Sequence, residues 1–345
     1  MTEIVKSHPT TAADSAATAQ RISIVVPCFN EAEGFALLQT EILDLAEAIQ
    51  RQNLAIEIIF VDDGSRDETW NLISALARQD KRVHGVALSR NFGHQAALTC
   101  GYDLASGDAV ACMDADLQDP PKVLLEMIAK WREGFDVVLG VRRTRKGESL
   151  FKLWTAKIFY TLLRMLGARH IRADSGDFRL MSRRSLMALR QMPEYHRFIR
   201  GMAGWVGFPT AEIYYDRHAR RAGQTKYPLS RMVQLALDAI ISFSSAPLRL
   251  AYISSGILML LTLGYLMYVL VIHVVLGVNL VPGWASLLLA VIGFGSMNLF
   301  CLGLMGEYVG RIYEEVKQRP KYIVREQTQG NGAMENGATD ATSGS

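Results

Sequence analysis

Two carboxylates, Asp114 and Asp116, are separated only by Ala115 and follow directly after a short apolar run. If that run is a β-strand, side chains two residues apart point to the same side, so both carboxylates would face one site. Magnesium prefers oxygen ligands and typically takes one or two carboxylates, with water and substrate phosphates completing its shell. The pair therefore indicates a divalent-metal site. On its own it is equally compatible with a solvated turn, in which Asp119 would cap a helix beginning at Pro120.

The chain around these carboxylates alternates between short apolar runs and amphipathic patterns of helical period. Such alternation predicts an α/β fold, a mostly parallel sheet with helices on both faces. The predicted strands are residues 22–28, 56–61, 83–88, 109–113 and 137–141, and the predicted helices are residues 31–50, a helix from near residue 67, 95–104 and 122–132. Ligands of such sheets bind outside the carboxyl ends of the strands, so that rim is the predicted site.

The residues at the ends of the first four predicted strands are polar and mostly acidic, as expected for a binding site at this rim. They are Pro27-Cys28-Phe29-Asn30-Glu31, Asp62-Asp63-Gly64-Ser65, Ser89-Arg90-Asn91-Phe92-Gly93 and Asp114-Ala115-Asp116-Leu117-Gln118-Asp119. Neither G-x-G-x-x-G nor G-x-x-x-x-G-K-S/T follows a strand, which excludes the common dinucleotide and P-loop phosphate sites. The combination of several acidic strand ends favours the metal-site interpretation over a solvated turn.

Residues 250–306 contain no Asp, Glu, Lys or Arg, and this stretch predicts a membrane anchor. A turn at residues 277–283 divides it into two predicted transmembrane helices, about 250–276 and 285–305, each long enough to cross a bilayer with roughly 20 residues. The connecting turn carries no Lys or Arg, whereas Arg249 precedes the first span and Arg311 and Lys317 follow the second. The positive-inside rule then predicts that both ends face the cytoplasm.

The remaining segments give a provisional domain organisation. We expect a disordered tail at 1–20, a cytoplasmic catalytic domain at 21–227, an amphipathic juxtamembrane helix at 228–246, the membrane hairpin at 247–306 and a cytoplasmic segment with a disordered tail at 307–345. An amphipathic pattern also covers residues 149–166. Both amphipathic segments could lie at the bilayer surface or form the core face of a globular domain. Tails rich in Thr, Ala, Gly, Asn and Ser predict disorder.

Composition excludes several classes of protein. The formal net charge of +3 does not suggest a nucleic-acid partner. The four cysteines are scattered without a C-x-x-C pair, which argues against a zinc site or a disulfide framework. The N-terminal segment lacks the apolar core of a signal peptide, so we expect the catalytic domain to stay in the cytoplasm. Basic runs at 142–146 and 217–226 are typical of a solvated face or of contact with lipid phosphates.

An ordered set of motifs resembles glycosyltransferase family 2, and more narrowly its polyprenyl-phosphate branch, which includes bactoprenol glucosyltransferases. The resemblance extends over roughly residues 22–325. Besides the strand ends given above, the motifs that carry it are Arg90-Asn91-Phe92-Gly93-His94-Gln95, Asp119-Pro120-Pro121, Gly176-Asp177-Phe178-Arg179-Leu180-Met181, Arg197-Phe198-Ile199-Arg200-Gly201, Ala222-Gly223-Gln224-Thr225-Lys226-Tyr227-Pro228 and Pro247-Leu248-Arg249.

The resemblance implies the nucleotide-sugar-binding GT-A fold and an inverting, metal-dependent sugar transfer. The expected reaction moves glucose from UDP-glucose to undecaprenyl phosphate at the cytoplasmic face of a plasma (inner) membrane. Other donors remain open, namely UDP-GlcNAc, GDP-mannose or an aminoarabinose donor, and so does a non-catalytic, membrane-anchored nucleotide-sugar-binding module. The chain has no Q-x-x-R-W motif, which disfavours repeated sugar addition. Some relatives form tetramers, so the resemblance also implies a homo-oligomer.

The resemblance also implies roles for individual residues. Asp62 and Asp63 would bind the base and ribose of the donor, and Asp177 would orient or deprotonate the acceptor, or instead hold Arg179 in position. The full set of expected contacts is Pro27, Asn30, Glu31, Asp62, Asp63, Arg90, Asp114 and Ala115 for the nucleotide sugar; Asp114, Asp116 and Gln118 for Mg²⁺ or Mn²⁺; Asp116 and Asp177 for catalysis; and Arg142, Arg143, Arg179, Arg220 and Lys226 for the acceptor phosphate. Any of these cations could instead form a surface ion pair or a lipid-headgroup contact.

Overall fold

The computed structural model describes residues 20–143, 175–195, 197–216, 246–271 and 283–328. Its elements in chain order are β1 (Arg21–Cys28), α1 (Phe35–Gln50), β2 (Ala55–Asp62), α2 (Thr69–Gln79), β3 (Val83–Leu88), α3 (His94–Leu104), β4 (Ala109–Cys112), α4 (Val123–Arg132), β5 (Val137–Arg142), β6 (Ser175–Ser182), α5 (Arg183–Arg190), α6 (Ile199–Trp205), β7 (Thr210–Tyr215), α7 (Ala246–Leu270), α8 (Trp284–Val316) and β8 (Val324–Gln327).

The described strands form one sheet in the order β7-β5-β6-β4-β1-β2-β3-β8. Strand β1 pairs in parallel with β2 and β4, β2 pairs in parallel with β3, and β5 pairs in parallel with β7. Strand β6 runs antiparallel between β4 and β5, and β8 is antiparallel to β3. The mostly parallel α/β sheet predicted from the sequence is confirmed, with β6, β7 and β8 added to the five predicted strands.

Helices cover both faces of the sheet because its central strands are apolar on both sides. In β1, Ile22, Ile24 and Val26 pack on one face together with α1, α2 and α4. Val25 points to the opposite face and packs with α3, α5 and α6. This alternation follows the two-residue period of a strand. The fully buried central strands thus fix the position of every loop at their carboxyl ends.

Helix α3 approaches the sheet closely at one glycine. A Cβ atom on Gly101 would lie 2.2 Å from Cγ1 of Val25 in β1, so only glycine fits between helix and strand. The N-terminus of α3 is His94, which faces the carboxyl rim. The close packing at Gly101 therefore also sets the position of a side chain at the rim.

The C-terminal helices differ in part from the predicted hairpin. Among the residues that the structure describes, one helical segment, Ala290–Val316, is long and apolar enough to cross a membrane, and a shorter apolar segment, Ile253–Tyr265, lies within α7. The two-span hairpin is therefore not confirmed, and residues 272–282, which contain the predicted turn, lie outside the described ranges. Helix α8 continues beyond the predicted end at residue 305, helped by an i,i+4 ion pair of 3.3 Å between Glu307 and Arg311.

The chain returns from α8 to the sheet. The Glu315 carboxylate accepts a 2.7 Å hydrogen bond from the backbone N–H of Tyr195, and the Tyr322 hydroxyl lies 3.0 Å from Asp103 at the end of α3. Strand β8 then pairs with β3 and covers that edge of the sheet. The end of α8 thus contacts the loop before α6, and the strand that follows it joins the sheet. The predicted amphipathic helices at 149–166 and 228–246 lie outside the described residues, except for Ala246, which begins α7.

The close approach at Gly101 gives a stability prediction. Gly101→Ala is expected to lower the free energy of unfolding by about 1–3 kcal/mol, because the added methyl group overpacks the interface with Val25. The matched control is Gly34→Ala, since a Cβ there meets only the Glu31 carbonyl oxygen at 3.9 Å. The midpoint of thermal unfolding of the detergent-solubilised chain measures both. Equal midpoints for the two variants would contradict the packing described for α3.

Candidate active site

The loop after β1 is tied to the loop after β2 by its own polar groups. The backbone N–H of Asn30 donates to the Ser65 hydroxyl at 2.9 Å, and the Asn30 side-chain oxygen accepts from the N–H of Arg66 at 2.8 Å. Asn30 has a φ of 54°, a left-handed conformation that asparagine tolerates better than most residues. The Glu31 N–H donates to Thr69 at 2.9 Å. The turn from Pro27 to Glu31 is therefore a fixed wall of the rim.

The two aspartates after β2 have different environments. Both oxygens of Asp63 accept backbone hydrogen bonds, from Phe92 at 2.8 Å and Gly93 at 2.9 Å, so Asp63 holds the loop after β3. Asp62 has no solvent exposure, and its Oδ1 accepts from Ser65 at 3.2 Å. The second oxygen, Oδ2, has no hydrogen-bond partner among the described residues. A buried acceptor of this kind costs free energy until a donor reaches it, which suits a ligand N–H or O–H.

Arg90 lies in the loop after β3, on the same rim. Its guanidinium stacks 4.0 Å from the centre of the Phe92 ring and donates to the Asn91 carbonyl oxygen at 2.9 Å. The loop approaches β2 so closely that a Cβ on Gly64 would lie 2.4 Å from the carbonyl carbon of Arg90. Gly64 also has a φ of +68°, which favours glycine. The loops after β1, β2 and β3 thus form one connected surface.

The acidic turn after β4 occupies the middle of the rim. Asp116 Oδ1 accepts from the N–H of Gln118 at 3.2 Å, and Leu117 between them has a left-handed φ of 52°. Such a conformation is costly for leucine and is typical of functional loops. Desolvation, together with the neighbouring carboxylates of Asp177, Asp119 and Asp116, raises the pKa of Asp114 to about 6, against the opposing charge of His94. Ala115 is buried and supports the turn from below.

The alternative interpretation of this turn as a helix cap is wrong. Helix α4 begins at Val123, with Lys122 rather than Asp119 at its N-cap. Asp119 is instead buried beneath the turn, where its Oδ1 accepts a 2.6 Å hydrogen bond from the Tyr215 hydroxyl. Pro120 and Pro121 separate Asp119 from the start of α4. The Asp119 carboxylate therefore contacts β7, through Tyr215, and does not cap the helix.

His94 joins Asp114 to Asp177. Its Nε2 lies 3.2 Å from Asp177 Oδ2 and 3.7 Å from Asp114 Oδ1. Desolvation in the cleft lowers the pKa of His94, but the hydrogen bond to Asp177 and the charge of Asp114 outweigh it and raise the pKa overall. A protonated imidazole between two carboxylates reduces their repulsion, so His94 allows the acidic turn and Asp177 to lie close together.

Asp177 is held by arginines from two elements. Arg200, in the first turn of α6, donates from Nε and Nη2 to its two oxygens at 2.9 and 2.8 Å. Arg179 lies 3.2 Å from Oδ1. Burial alone would raise the pKa of Asp177, but hydrogen bonds from His94 and Arg200 hold it well below its usual range. Asp177 is therefore ionised throughout the physiological range, and such a stabilised carboxylate is a weak proton acceptor.

The structure describes three of the five predicted acceptor-phosphate cations, each in a different environment. Arg179 is 1% exposed and donates to the carbonyl oxygens of Ile199 and Gly176, so its guanidinium supports the cleft from within. Arg142 ends β5, 3.6 Å from Asp119, and a Cβ on Gly176 would lie 3.0 Å from its Nη2. Arg143 follows and is exposed. Arg220 and Lys226 lie outside the described residues. The phosphate role of all five stays a prediction.

The donor set suits a hard divalent cation. Among the described residues, no group of three or more His, Cys, Asp or Glu side chains could hold a metal ion by itself. Magnesium usually takes only one or two carboxylates from a protein and completes its shell with water and phosphate oxygens. Asp114 and Asp116, with the amide oxygen of Gln118, provide such oxygen donors. Burial, together with the neighbouring carboxylates, raises the pKa of Asp114, and a bound cation would stabilise its ionised form.

Sequence reasoning assigned no role to His94 or Arg200, although both lie in the motifs quoted above. Each contacts Asp177 in the folded chain, at 3.2 and 2.8 Å. The position of His94 could have been predicted from the sequence, because it follows the loop after the third predicted strand and so lies at the rim. The position of Arg200 could not have been predicted in this way, because its segment reaches the rim only through tertiary packing.

Comparison with known proteins agrees with this geometry. The sequence model described as "Glycosyl transferase family 2" matches residues 23–190. An uncharacterized glycosyltransferase of Synechocystis sp. is 42% identical over 88% of this chain and 94% of its own. A second, from Bacillus subtilis, is 44% identical over 88% and 93%. A bactoprenol glucosyl transferase of Shigella phage SfII is 40% identical over 90% of this chain and 99% of its own.

Solved structures with a similar arrangement are more distant in sequence. Glucosyl-3-phosphoglycerate synthase from Mycobacterium tuberculosis is 18% identical, with a TM-score of 0.43 over 64% of this chain and 78% of its own. Mannosyl-3-phosphoglycerate synthase from Rubrobacter xylanophilus is 18% identical, with a TM-score of 0.46 over 67% and 74%. The relatives at 40–44% identity, which match almost from end to end, decide the assignment. The chain is a glycosyltransferase, with a catalytic sheet of the GT-A type, and it belongs to glycosyl transferase family 2.

Proposed function

We propose that this chain transfers one sugar, glucose from UDP-glucose, to the phosphate of a polyprenyl lipid such as undecaprenyl phosphate. The observation that carries the proposal is the division of the rim into an acidic turn, Asp114 to Asp116, and an arginine cluster around Asp177. A reaction between two anionic substrates needs both. The relative named bactoprenol glucosyl transferase, 40% identical over 99% of its own length, supports this acceptor and this sugar.

The donor half of the proposal rests on the loops after β1, β2 and β3. The unpaired Oδ2 of Asp62 supports contact with an N–H of the nucleotide, because that donor would satisfy a buried acceptor. The fixed turn at Pro27, Asn30 and Glu31 and the stacked Arg90 would border the same pocket. Both oxygens of Asp63 already accept hydrogen bonds from the loop after β3. Asp63 would therefore position that loop beside the ribose and would not bind the ribose itself.

The metal half rests on Asp114, Asp116 and Gln118, which we propose hold Mg²⁺ or Mn²⁺. When bound there, a divalent cation stabilises the negative charge that develops on the departing nucleoside diphosphate. The left-handed Leu117 and the buried Ala115 define the conformation of this turn. Asp116 then contributes to catalysis as a ligand and not as a proton carrier.

The acceptor needs positive charge more than it needs a base. A phosphate monoester has its second pKa near 6 and is largely dianionic at neutral pH, so its oxygen is already nucleophilic. Arg200, whose side chain is 37% exposed, and Arg142 beside Gly176 are the described cations best situated to receive it. Direct attack on the anomeric carbon would invert its configuration and give a β-linked product from UDP-α-glucose.

Asp177 is proposed as a positioning residue in this reaction. Its carboxylate fixes the guanidinium of Arg200 through two hydrogen bonds and the imidazole of His94 through a third contact. The low pKa of Asp177 supports this role over proton abstraction, because a carboxylate stabilised by three cationic groups accepts a proton poorly. Removal of its charge would release Arg200 from the orientation that the acceptor phosphate requires.

The acceptor also explains the apolar C-terminal segment. A polyprenyl tail leaves the bilayer only at a cost of roughly 0.8 kcal/mol per CH₂ group, so the rim must come to the lipid headgroup. The apolar helix Ala290–Val316 is followed by β8, which pairs with β3, and this connection supports a location of the rim at the cytoplasmic face of a plasma membrane. A homo-oligomer, implied by the family resemblance, stays a prediction.

The proposed function is tested by radiolabelled sugar transfer. The purified chain in detergent receives undecaprenyl phosphate, Mg²⁺ or Mn²⁺, and UDP-glucose, UDP-GlcNAc or GDP-mannose in separate reactions. We expect label from UDP-glucose to enter the organic phase, and we expect EDTA to abolish transfer. Asp116→Asn should lower the rate by about a hundredfold or more, because the charge of the leaving diphosphate loses its stabilisation.

The matched control for Asp116→Asn is Asp44→Asn, an exposed carboxylate on α1 that should leave the rate unchanged. Transfer from another donor would keep the reaction and correct the sugar. If no donor labels the lipid, the polyprenyl-phosphate acceptor is wrong. Transfer that persists in EDTA would remove the metal from the proposal.

The positioning role of Asp177 makes a separate prediction. Asp177→Asn is expected to lower kcat by about a hundredfold and to leave the KM for UDP-glucose within about threefold, because the lost contacts concern the acceptor. Arg200→Gln should have a similar effect. Steady-state rates of both single variants and the double variant form a double-mutant cycle.

If Asp177 acts through Arg200, the double variant loses little more activity than either single variant. Fully additive losses would show that the two residues act independently and would contradict the positioning role. Unchanged turnover in Asp177→Asn would remove Asp177 from the reaction altogether.

A further inference from the structure

Strand β8 carries an arginine to the rim of the sheet from beyond the apolar helix. Its pairing with β3 places Gln327 opposite Val86, Glu326 opposite Ala87 and Val324 opposite Leu88, so Arg325 is an extra residue between the last two pairs. This is a β-bulge, a feature that often redirects a side chain beside an active site. Arg325 is exposed.

The bulge lies beside the row of residues that contains Asp62. Asp62 at the end of β2 pairs with Ala87 of β3, and Ala87 pairs with Glu326 of β8. Burial raises the pKa of Asp62, and the hydrogen bonds from Ser65 and then the positive charge of Arg325 oppose that rise. The strand pairing thus places the positive charge of Arg325 on the same side of the sheet rim as the Asp62 carboxylate, whose Oδ2 has no partner among the described residues.

Several contacts hold β8 rigidly in this position. The Trp70 indole N–H donates to Glu326 at 3.1 Å, and the Ser89 N–H donates to the Ile323 carbonyl oxygen at 2.8 Å. Thr328 exchanges hydrogen bonds with Gly85 through its backbone N–H and its hydroxyl, both at 2.9 Å. Arg325 is thus presented by a fixed strand, which suits a binding residue because little ordering is needed when the ligand arrives.

We propose that Arg325 is part of the donor site and contacts the base of the nucleotide beside Asp62. The inference rests on the proposed function, since it takes Asp62 as a donor-binding residue. A nucleobase edge carries N–H groups next to carbonyl oxygens, so the Asp62 carboxylate accepts from the N–H while the Arg325 guanidinium donates to an oxygen. Arg325 lies outside residues 23–190, which the family model matches.

The sheet order assigns Arg325 to the base and not to the diphosphate. Strands β4, β1, β2, β3 and β8 are consecutive neighbours, and the acidic turn follows β4. Four strand spacings of about 4.8 Å separate β4 from β8, or roughly 19 Å, whereas β8 is only two spacings from β2. A nucleoside diphosphate whose phosphates lie at Asp114 and Asp116 directs its base toward β2 and β8.

The test is nucleotide binding to the full-length chain in detergent, measured by calorimetry with UDP and with UMP. Arg325→Gln is expected to raise the Kd for UDP about tenfold, as for the loss of one charge-assisted hydrogen bond. The Kd for UMP should rise by the same factor, because the contact is to the base. The KM for UDP-glucose should rise similarly while kcat stays unchanged.

The control is Arg51→Gln, an exposed arginine that is paired with Glu47 and precedes β2, at the amino ends of the strands; it should leave both dissociation constants unchanged. Arg325→Lys keeps the charge and should recover part of the affinity, which separates a lost contact from a misfolded strand. An unchanged Kd for UDP in Arg325→Gln would overturn the proposal, and so would a loss larger for UDP than for UMP. If the wild type binds UDP but labels no lipid, the proposed function fails while the role of Arg325 stands.

Discussion

Three cationic side chains, His94, Arg179 and Arg200, converge on the carboxylate of Asp177, and each comes from a different element. The helix α3, the strand β6 and the helix α6 are fixed relative to one another at this carboxylate. Buried ion clusters are stable only when every charge is compensated, so loss of one partner would leave the others uncompensated. The acidic turn at Asp114 also depends on the cluster, because His94 contacts both carboxylates.

The sheet divides at β4 into two halves that carry different polar groups. Strands β1, β2, β3 and β8 bring carboxylates, backbone amides and Arg325 to the half that would receive the nucleotide. Strands β6 and β5 bring Arg179 and Arg142 to the half that would receive a phosphate. Asp114 and Asp116 lie between them. The arginines of one half are held by Asp177 and Asp119, which fixes their positions on the rim.

The sequence predicted the elements whose signal is local. Strands β1 to β5 are apolar runs, and the acidic turn after β4 was recognised from the spacing of two aspartates. Strand β6 was missed because Asp177 and Arg179 interrupt its apolar pattern, although both are buried in the folded chain. Strand β8 is short and polar, and only pairing with β3 makes it a strand. The alternative of a helix cap at Asp119 fails because α4 begins only at Val123, and the Asp119 carboxylate accepts a hydrogen bond from Tyr215, 96 residues away.

The proposed reaction is a single displacement by a lipid phosphate at the anomeric carbon of glucose. It is tested most directly by ¹H and ³¹P NMR of the lipid product made from UDP-α-glucose by the wild-type chain. We expect one glucose joined to the polyprenyl phosphate through a phosphodiester in the β configuration. An α-linked product would contradict the single displacement, and a lipid without a sugar phosphodiester would contradict the acceptor.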